Sequence, residues 1–160
     1  MMRTTTIVAG WLLAILALAG CTPAVALQPA DDAINPSCAD VIVRLPDTVA
    51  GLDARETNAQ ATGAWGTPAE VLLRCGVPVP DPTSTLSCVE VAGVNWLRDS
   101  SGDPNFVFTS YGRDPATEVI INGETVSGLT ALTDLASAIG VIPATGACVA
   151  LDDVLAPPAQ

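Results

Sequence analysis

Four cysteines, Cys38, Cys75, Cys88 and Cys148, place the strongest constraint on how this 160-residue chain can fold. If they pair, each pair must bring its Cα atoms within about 7 Å. Whether they pair depends on the compartment, since disulfides persist in oxidising surroundings and are rare in the cytosol. The N-terminus points to export. Arg3 precedes an unbroken apolar run from Ile7 to Leu18, which ends in Ala19 and Gly20. That order is the pattern of a secretory signal. The run falls short of the ~20 residues a spanning helix needs, and polar, Pro-rich sequence follows it. Residues 1–20 are therefore expected to be a removed leader.

The cleavage region, Leu18-Ala19-Gly20-Cys21, resembles the lipobox of bacterial lipoproteins. In that motif an aliphatic residue and two small ones precede a cysteine whose thiol takes a diacylglyceryl group before cleavage. An ordinary signal peptide would leave Cys21 as a spare thiol with no reason for its register. Lipidation of Cys21 is the expectation, and two or more acyl chains, palmitate among them, hold a protein stably where one does not. The mature form is then expected on the extracytoplasmic face of the plasma membrane, anchored without spanning it.

Cleavage would remove Arg3 and no acid, leaving five Arg and no Lys against 17 Asp plus Glu. A net charge of about −12 cannot neutralise a run of phosphates, which argues against nucleic acid and against docking on anionic headgroups. The absence of His removes Ser-His-Asp and Cys-His devices. The absence of Lys removes Ser-Lys dyads, the P-loop lysine and Schiff bases. Carboxylate chemistry survives, with Glu70, Glu90, Glu118 and Glu124 as candidates. In so acidic a chain these read first as solvated surface charges. Asp99-Ser100-Ser101-Gly102-Asp103 lacks the alternating ligands and terminal Glu of a calcium loop, so a polar turn is expected. No catalytic residue, cofactor or metal is assigned.

Setting Cys21 aside, an even number of cysteines in an exported chain indicates two disulfides. Three pairings are possible. Cys75–Cys88 with Cys38–Cys148 is favoured, because the first pair brackets the Pro-rich stretch Val77–Pro82 and the second would clamp the domain's ends. A zinc site is disfavoured by the lack of His and of C-x-x-C spacing.

Residues 21–37, rich in Ala, Pro and Asp, read as a lipidated cysteine followed by a semi-extended stalk. The folded unit is expected at 38–148, with a flexible tail at 149–160. Short β-branched or aromatic runs bounded by turn residues mark strands at Val41–Leu45, Val71–Cys75, Cys88–Val91, Val94–Leu97, Phe106–Tyr111 and Glu118–Ile121. Gly93 marks a bulge or turn. Leu129, Leu132, Leu135, Ala136 and Ile139 recur at helical spacing after Ser127 and before Gly140, a capped amphipathic helix. The pattern predicts a small, disulfide-stapled α+β domain, a mainly antiparallel sheet with one C-terminal helix on one face.

Four blocks carry a resemblance: Trp65-Gly66-x-Pro68, Leu73-Arg74-Cys75-Gly76-Val77, Cys88-x-x-Val91-x-Gly93-Val94-x-Trp96 and Thr109-x-Tyr111-Gly112-Arg113-x-Pro115. Together the chain resembles the domain of unknown function 3515 family of actinobacterial envelope proteins over most of 38–139. The resemblance implies an envelope lipoprotein with no assigned activity. Members often encoded near a D-alanine:D-alanine ligase imply a cell-wall setting by association. The same blocks pair scarce cations with scarce aromatics. Arg74 and Arg113, with Tyr111, Trp65 and Trp96, are candidate lining of a small anion site, the guanidinium forks holding a carboxylate or phosphate. The bland alternative is that each Arg pairs with an acid and the Trp residues fill the core. The expected function is that of a non-catalytic accessory lipoprotein contacting an envelope protein or cell-wall component. The alternative is a binder of a small anionic ligand.

Overall fold

The computed structural model describes residues 22–81 and 85–148. The leader, Cys21 and the tail from 149 onward lie outside the described residues. The element order is α1 (Pro36–Ile42), β1 (Thr48–Val49), β2 (Leu52–Arg55), β3 (Thr62–Trp65), β4 (Val71–Val77), β5 (Ser87–Val91), β6 (Val94–Asp99), β7 (Asn105–Ser110), β8 (Ala116–Asn122) and α2 (Gly128–Ile139). Among the described residues, the eight strands form one antiparallel sheet in the order β1-β2-β3-β4-β8-β7-β6-β5. This is the expected α+β architecture, built from two four-strand meanders joined where β4 meets β8.

Alternation decides which face is core. Val71, Leu73 and Cys75 on β4 and Val119 and Ile121 on β8 are fully buried, while Leu72, Arg74, Glu118 and Ile120 between them are only half-buried. The inner face is covered by α2, which contacts β1 and β5 at the two sheet edges and β8 at the centre, so the sheet curls around the helix. Leu132, Leu135 and Ile139 are buried in full, each worth roughly 1.5–3 kcal/mol. Leu129, included in the expected stripe, instead faces solvent at 68 % exposure. The helix ends are as read: Ser127 Oγ accepts from Thr130 N at 3.3 Å and Gly140 is the C-cap. Ala92 (φ 48°) and Gly93 (φ 80°) form the two-residue turn between β5 and β6, a geometry matched to strand twist.

Three expectations are corrected. Val41–Leu45 is not a strand, because Val41 and Ile42 end helix α1. Asn35 caps that helix by accepting from Ser37 N, Pro36 opens it, and Cys38 and Val41 share its buried face. These local start signals outweigh the β-branched side chains. The disulfides are Cys38–Cys75 and Cys88–Cys148, with Cα separations of 5.5 and 5.6 Å. The favoured Cys75–Cys88 bridge would have to cross from β4 to β5, four strand intervals apart, roughly 19 Å at the usual strand spacing. Finally, residues 22–37 are not a free stalk. Val25 forms a parallel bridge to Thr57, Asp32 N donates to Gly76 O at 3.0 Å, and Ala33 is buried. The segment is part of the folded unit.

Candidate functional site

The Arg74-Cys75-Gly76 block lies on central strand β4. Arg74 points to the outer, helix-free face, where its cross-strand neighbour is Glu118. Its Nε and Nη2 donate to Glu118 Oε1 at 3.0 and 2.6 Å, with the two side chains 33 % and 17 % exposed. Partial solvent screening keeps such a pair to about 1 kcal/mol. Cys75 points the other way, into the core, and is bonded to Cys38 of α1. Gly76, at φ +96°, lies against the backbone of Asp32 and Ala33. A Cβ there would stand 2.4 Å from the Asp32 carbonyl carbon. The block therefore clasps the N-terminal segment onto the sheet.

The Tyr111-Gly112-Arg113 block does the same for the other end of the domain. Gly112, at φ +70°, faces Gly146 so closely that a Cβ would meet its carbonyl oxygen at 2.2 Å. Thr145 N donates to Gly112 O, and Cys148 N donates to Asn95 Oδ1 at 3.0 Å. Arg113 is buried, at 6 % exposure. Its Nη1 donates to Ile142 O and, at 3.5 Å, to Gly140 O, while Nη2 donates to Gly93 O at 3.3 Å. Burial pushes its guanidinium below the usual range, although an arginine stays cationic in a protein. No carboxylate among the described residues pairs with it; the ion pairs there are Arg44–Asp40 and Arg74–Glu118. The charge is met by carbonyls just past the C-terminus of α2, where the helix dipole favours a cation. Its Nε is buried without a partner among the described residues.

The structure does not bring the expected anion site together. Arg74 is on the outer face and Arg113 is enclosed at the end of α2, so their forks cannot hold one ligand. Trp65 and Trp96 are core residues on the inner face, four strand intervals apart. Trp65 Nε1 donates to Pro46 O at 3.0 Å, whereas Trp96 Nε1 and Thr117 Oγ1 are buried with no partner among the described residues. Tyr111 is half-buried beside the 144–146 segment.

The carboxylates are also dispersed. Glu70 accepts from Asn122 Nδ2 at 2.7 Å and Thr125 Oγ1 at 3.0 Å, Glu118 holds Arg74, and Glu90 accepts from the Gly93 amide at 3.2 Å. Glu124 is exposed. Asp99 accepts from Ser101 N at 2.8 Å, and hydrogen bonds from Ser101 hold its carboxyl below the ordinary range. No cluster of potential metal ligands occurs among the described residues.

Sequence reasoning missed an apolar groove of about 220 Å³ between α1 and the 60–61 turn, lined by Ala33, Ile34, Ala39, Ile42, Val43 and Ala61. Ile34 and Val43 on its rim are 78 % and 76 % exposed. The only signal would have been α1 itself, whose outer side carries Val43 once the segment is read as helical.

Residues 4–147 match the family described as a protein of unknown function, DUF3515, and the chain belongs to that family. No curated protein and no solved structure matches it.

Proposed function

We propose that this DUF3515 member is an extracytoplasmic lipoprotein, anchored through Cys21, that serves as a non-catalytic accessory protein of the cell envelope. The observation that carries the reading is cysteine parity. The domain's four cysteines are used up in two disulfides, which need an oxidising compartment. The fifth, Cys21, stands alone at the lipobox register. The accessory role rests on how the scarce chemistry is spent. Arg74, Arg113, Trp65 and Trp96 hold the fold together, and the exposed Ile34 and Val43 beside the α1 groove offer the apolar contact that envelope partners cover.

The test is detergent-phase partitioning with a palmitate analogue, wild type against Cys21→Ala. The wild type should enter the detergent phase carrying label, and the variant should do neither. Equal partitioning of the two, with no label on the wild type, would refute the anchor. Crosslinking in the intact envelope from a photoreactive residue at position 34, on the same rim, should then recover a partner that is lost when Val43→Glu is added.

A further inference from the structure

We infer that the domain rests directly on the bilayer, with the loops 66–70, 99–105 and 122–125 facing the lipid headgroups and the α1 groove facing away from them. The inference rests on the proposed acylation of Cys21 and deepens it, by naming the surface that meets the lipid.

The tether from Cys21 to the folded domain has almost no slack. Pro23 O accepts from Arg55 Nη2 at 3.0 Å, and the same guanidinium donates through Nη1 to Gly66 O and Thr67 Oγ1, both at 2.9 Å. One residue, Thr22, separates this fastening from Cys21, a reach of about 7 Å at full extension. The chain beyond is fastened as well. Val25 N donates to Glu56 O at 2.8 Å, Asn58 N to Val25 O at 3.2 Å, Leu27 N to Asn58 Oδ1 at 2.8 Å, and Asp32 N to Gly76 O. The tether therefore keeps the end of the domain fastened at Pro23 close to the bilayer.

Strand directions then say which end is down. Arg55 binds the start of the β3–β4 loop. That loop shares its end of the sheet with the β8–α2 and β6–β7 loops: Asn122 N donates to Glu70 O at 3.0 Å and Gly123 N to Pro104 O at 2.8 Å. At the opposite end lie the Gly76 clasp, the Ala92-Gly93 turn and the 111–115 turn, about 20 Å away along seven-residue strands. The groove lined by Ile34, Val43 and Ala61 lies at that far end, next to Asp32 and Gly76. The near rim carries Glu70, Asp99, Asp103 and Glu124. It therefore stands at the headgroup surface without inserting, and anionic lipid repels it.

The orientation can be measured apart from the question of cellular acylation. The chain beginning at Cys21, whose thiol is the one outside the two disulfides, is coupled to a maleimide lipid in phosphatidylcholine nanodiscs that contain a gadolinium-chelate lipid. With rims about 20 Å apart, amide broadening should be about tenfold or more greater at Gly102, Gly123 and Glu124 than at Gly93 and Gly112. A flexible Gly-Ser linker of about 10 residues inserted between Thr22 and Pro23 should even out the two groups. Equal broadening without the linker, or stronger broadening at Gly93 and Gly112, overturns the inference. The partitioning result for Cys21→Ala, which reads acylation in the cell, is unaffected by either outcome.

Discussion

Replacing Gly76 with alanine separates two reasons for a glycine in a strand. Gly76 and Gly93 both have positive φ, +96° and +80°. A Cβ at either should cost about 1–2 kcal/mol in backbone strain. Only Gly76 has a neighbour in the way: the new Cβ would lie 2.4, 2.5 and 2.6 Å from the carbonyl carbon and oxygen of Asp32 and the nitrogen of Ala33, whereas nothing lies within 4 Å at Gly93. Those neighbours are backbone and cannot rotate away. Relief requires the 32–33 segment to move, losing the Asp32 N to Gly76 O bond, about 1 kcal/mol, and part of the burial of Ala33 and of the Cys38–Cys75 region. Gly76→Ala should therefore cost about 3–4 kcal/mol and Gly93→Ala about 1. Urea unfolding followed by the fluorescence of the buried Trp65 and Trp96 reads the difference. With a slope near 2 kcal/mol/M the midpoint should fall by about 1.5–2 M for Gly76→Ala and about 0.5 M for Gly93→Ala. Cleavage within 22–33 by a protease should accelerate only in the former. Equal midpoint shifts would refute the reasoning, because strain alone would then account for both.

Non-reducing peptide mapping should return Cys38–Cys75 and Cys88–Cys148, and loops of 37 and 60 residues predict a loss of roughly 4 kcal/mol on removing either bond by paired Cys→Ala substitution, read by denaturant titration. Arg113→Met should cost about 2–3 kcal/mol by leaving carbonyls at the end of α2 without their charged donor, and the loss, measured by thermal melting, should change little between low and high salt. For Arg74→Ala the same melts should show about 1 kcal/mol that shrinks with added salt. Asp99 has a depressed folded pKa. Its contribution is therefore full above the unfolded value of about 3.9 and disappears as pH falls through the folded one. Carboxyl titration by NMR should show its midpoint below the ordinary aspartate value, and Ser101→Ala should raise it.

Much of the fold was legible because β4, β6, β7 and β8 are short runs rich in β-branched, aliphatic or aromatic residues bounded by turn residues, and α2 carries its caps at both ends. The strands β1 to β3 were not, for a packing reason. β3 reads Thr62-Gly63-Ala64-Trp65, buried on both faces by small residues, and a Cβ at Gly63 would stand 2.8 Å from the Trp65 ring. Size, not propensity, qualifies that segment as a strand. The disulfide pairing was hidden because it depends on β4 lying beside β8, a long-range choice that no local spacing encodes. Of the two readings open for the blocks around Arg74 and Arg113, the structural one fits: Arg74 pairs with Glu118 and both tryptophans fill the core, while Arg113 gathers backbone carbonyls in place of the expected acid. The glycines beside them were the better clue, since a glycine within or just past a strand often marks a close backbone approach.

The Cys38–Cys75 bond also decides how the molecule bears load. A pull at residue 22 can strip no more than the segment up to Cys38 before it reaches sulfur. Beyond that point the force enters β4, which is flanked on both sides by β3 and β8, so the ladders on either side of β4 are stressed together instead of opening one bond at a time from an edge. A covalent shunt from the entry point to the middle of the sheet thus sets the mechanical limit of the domain.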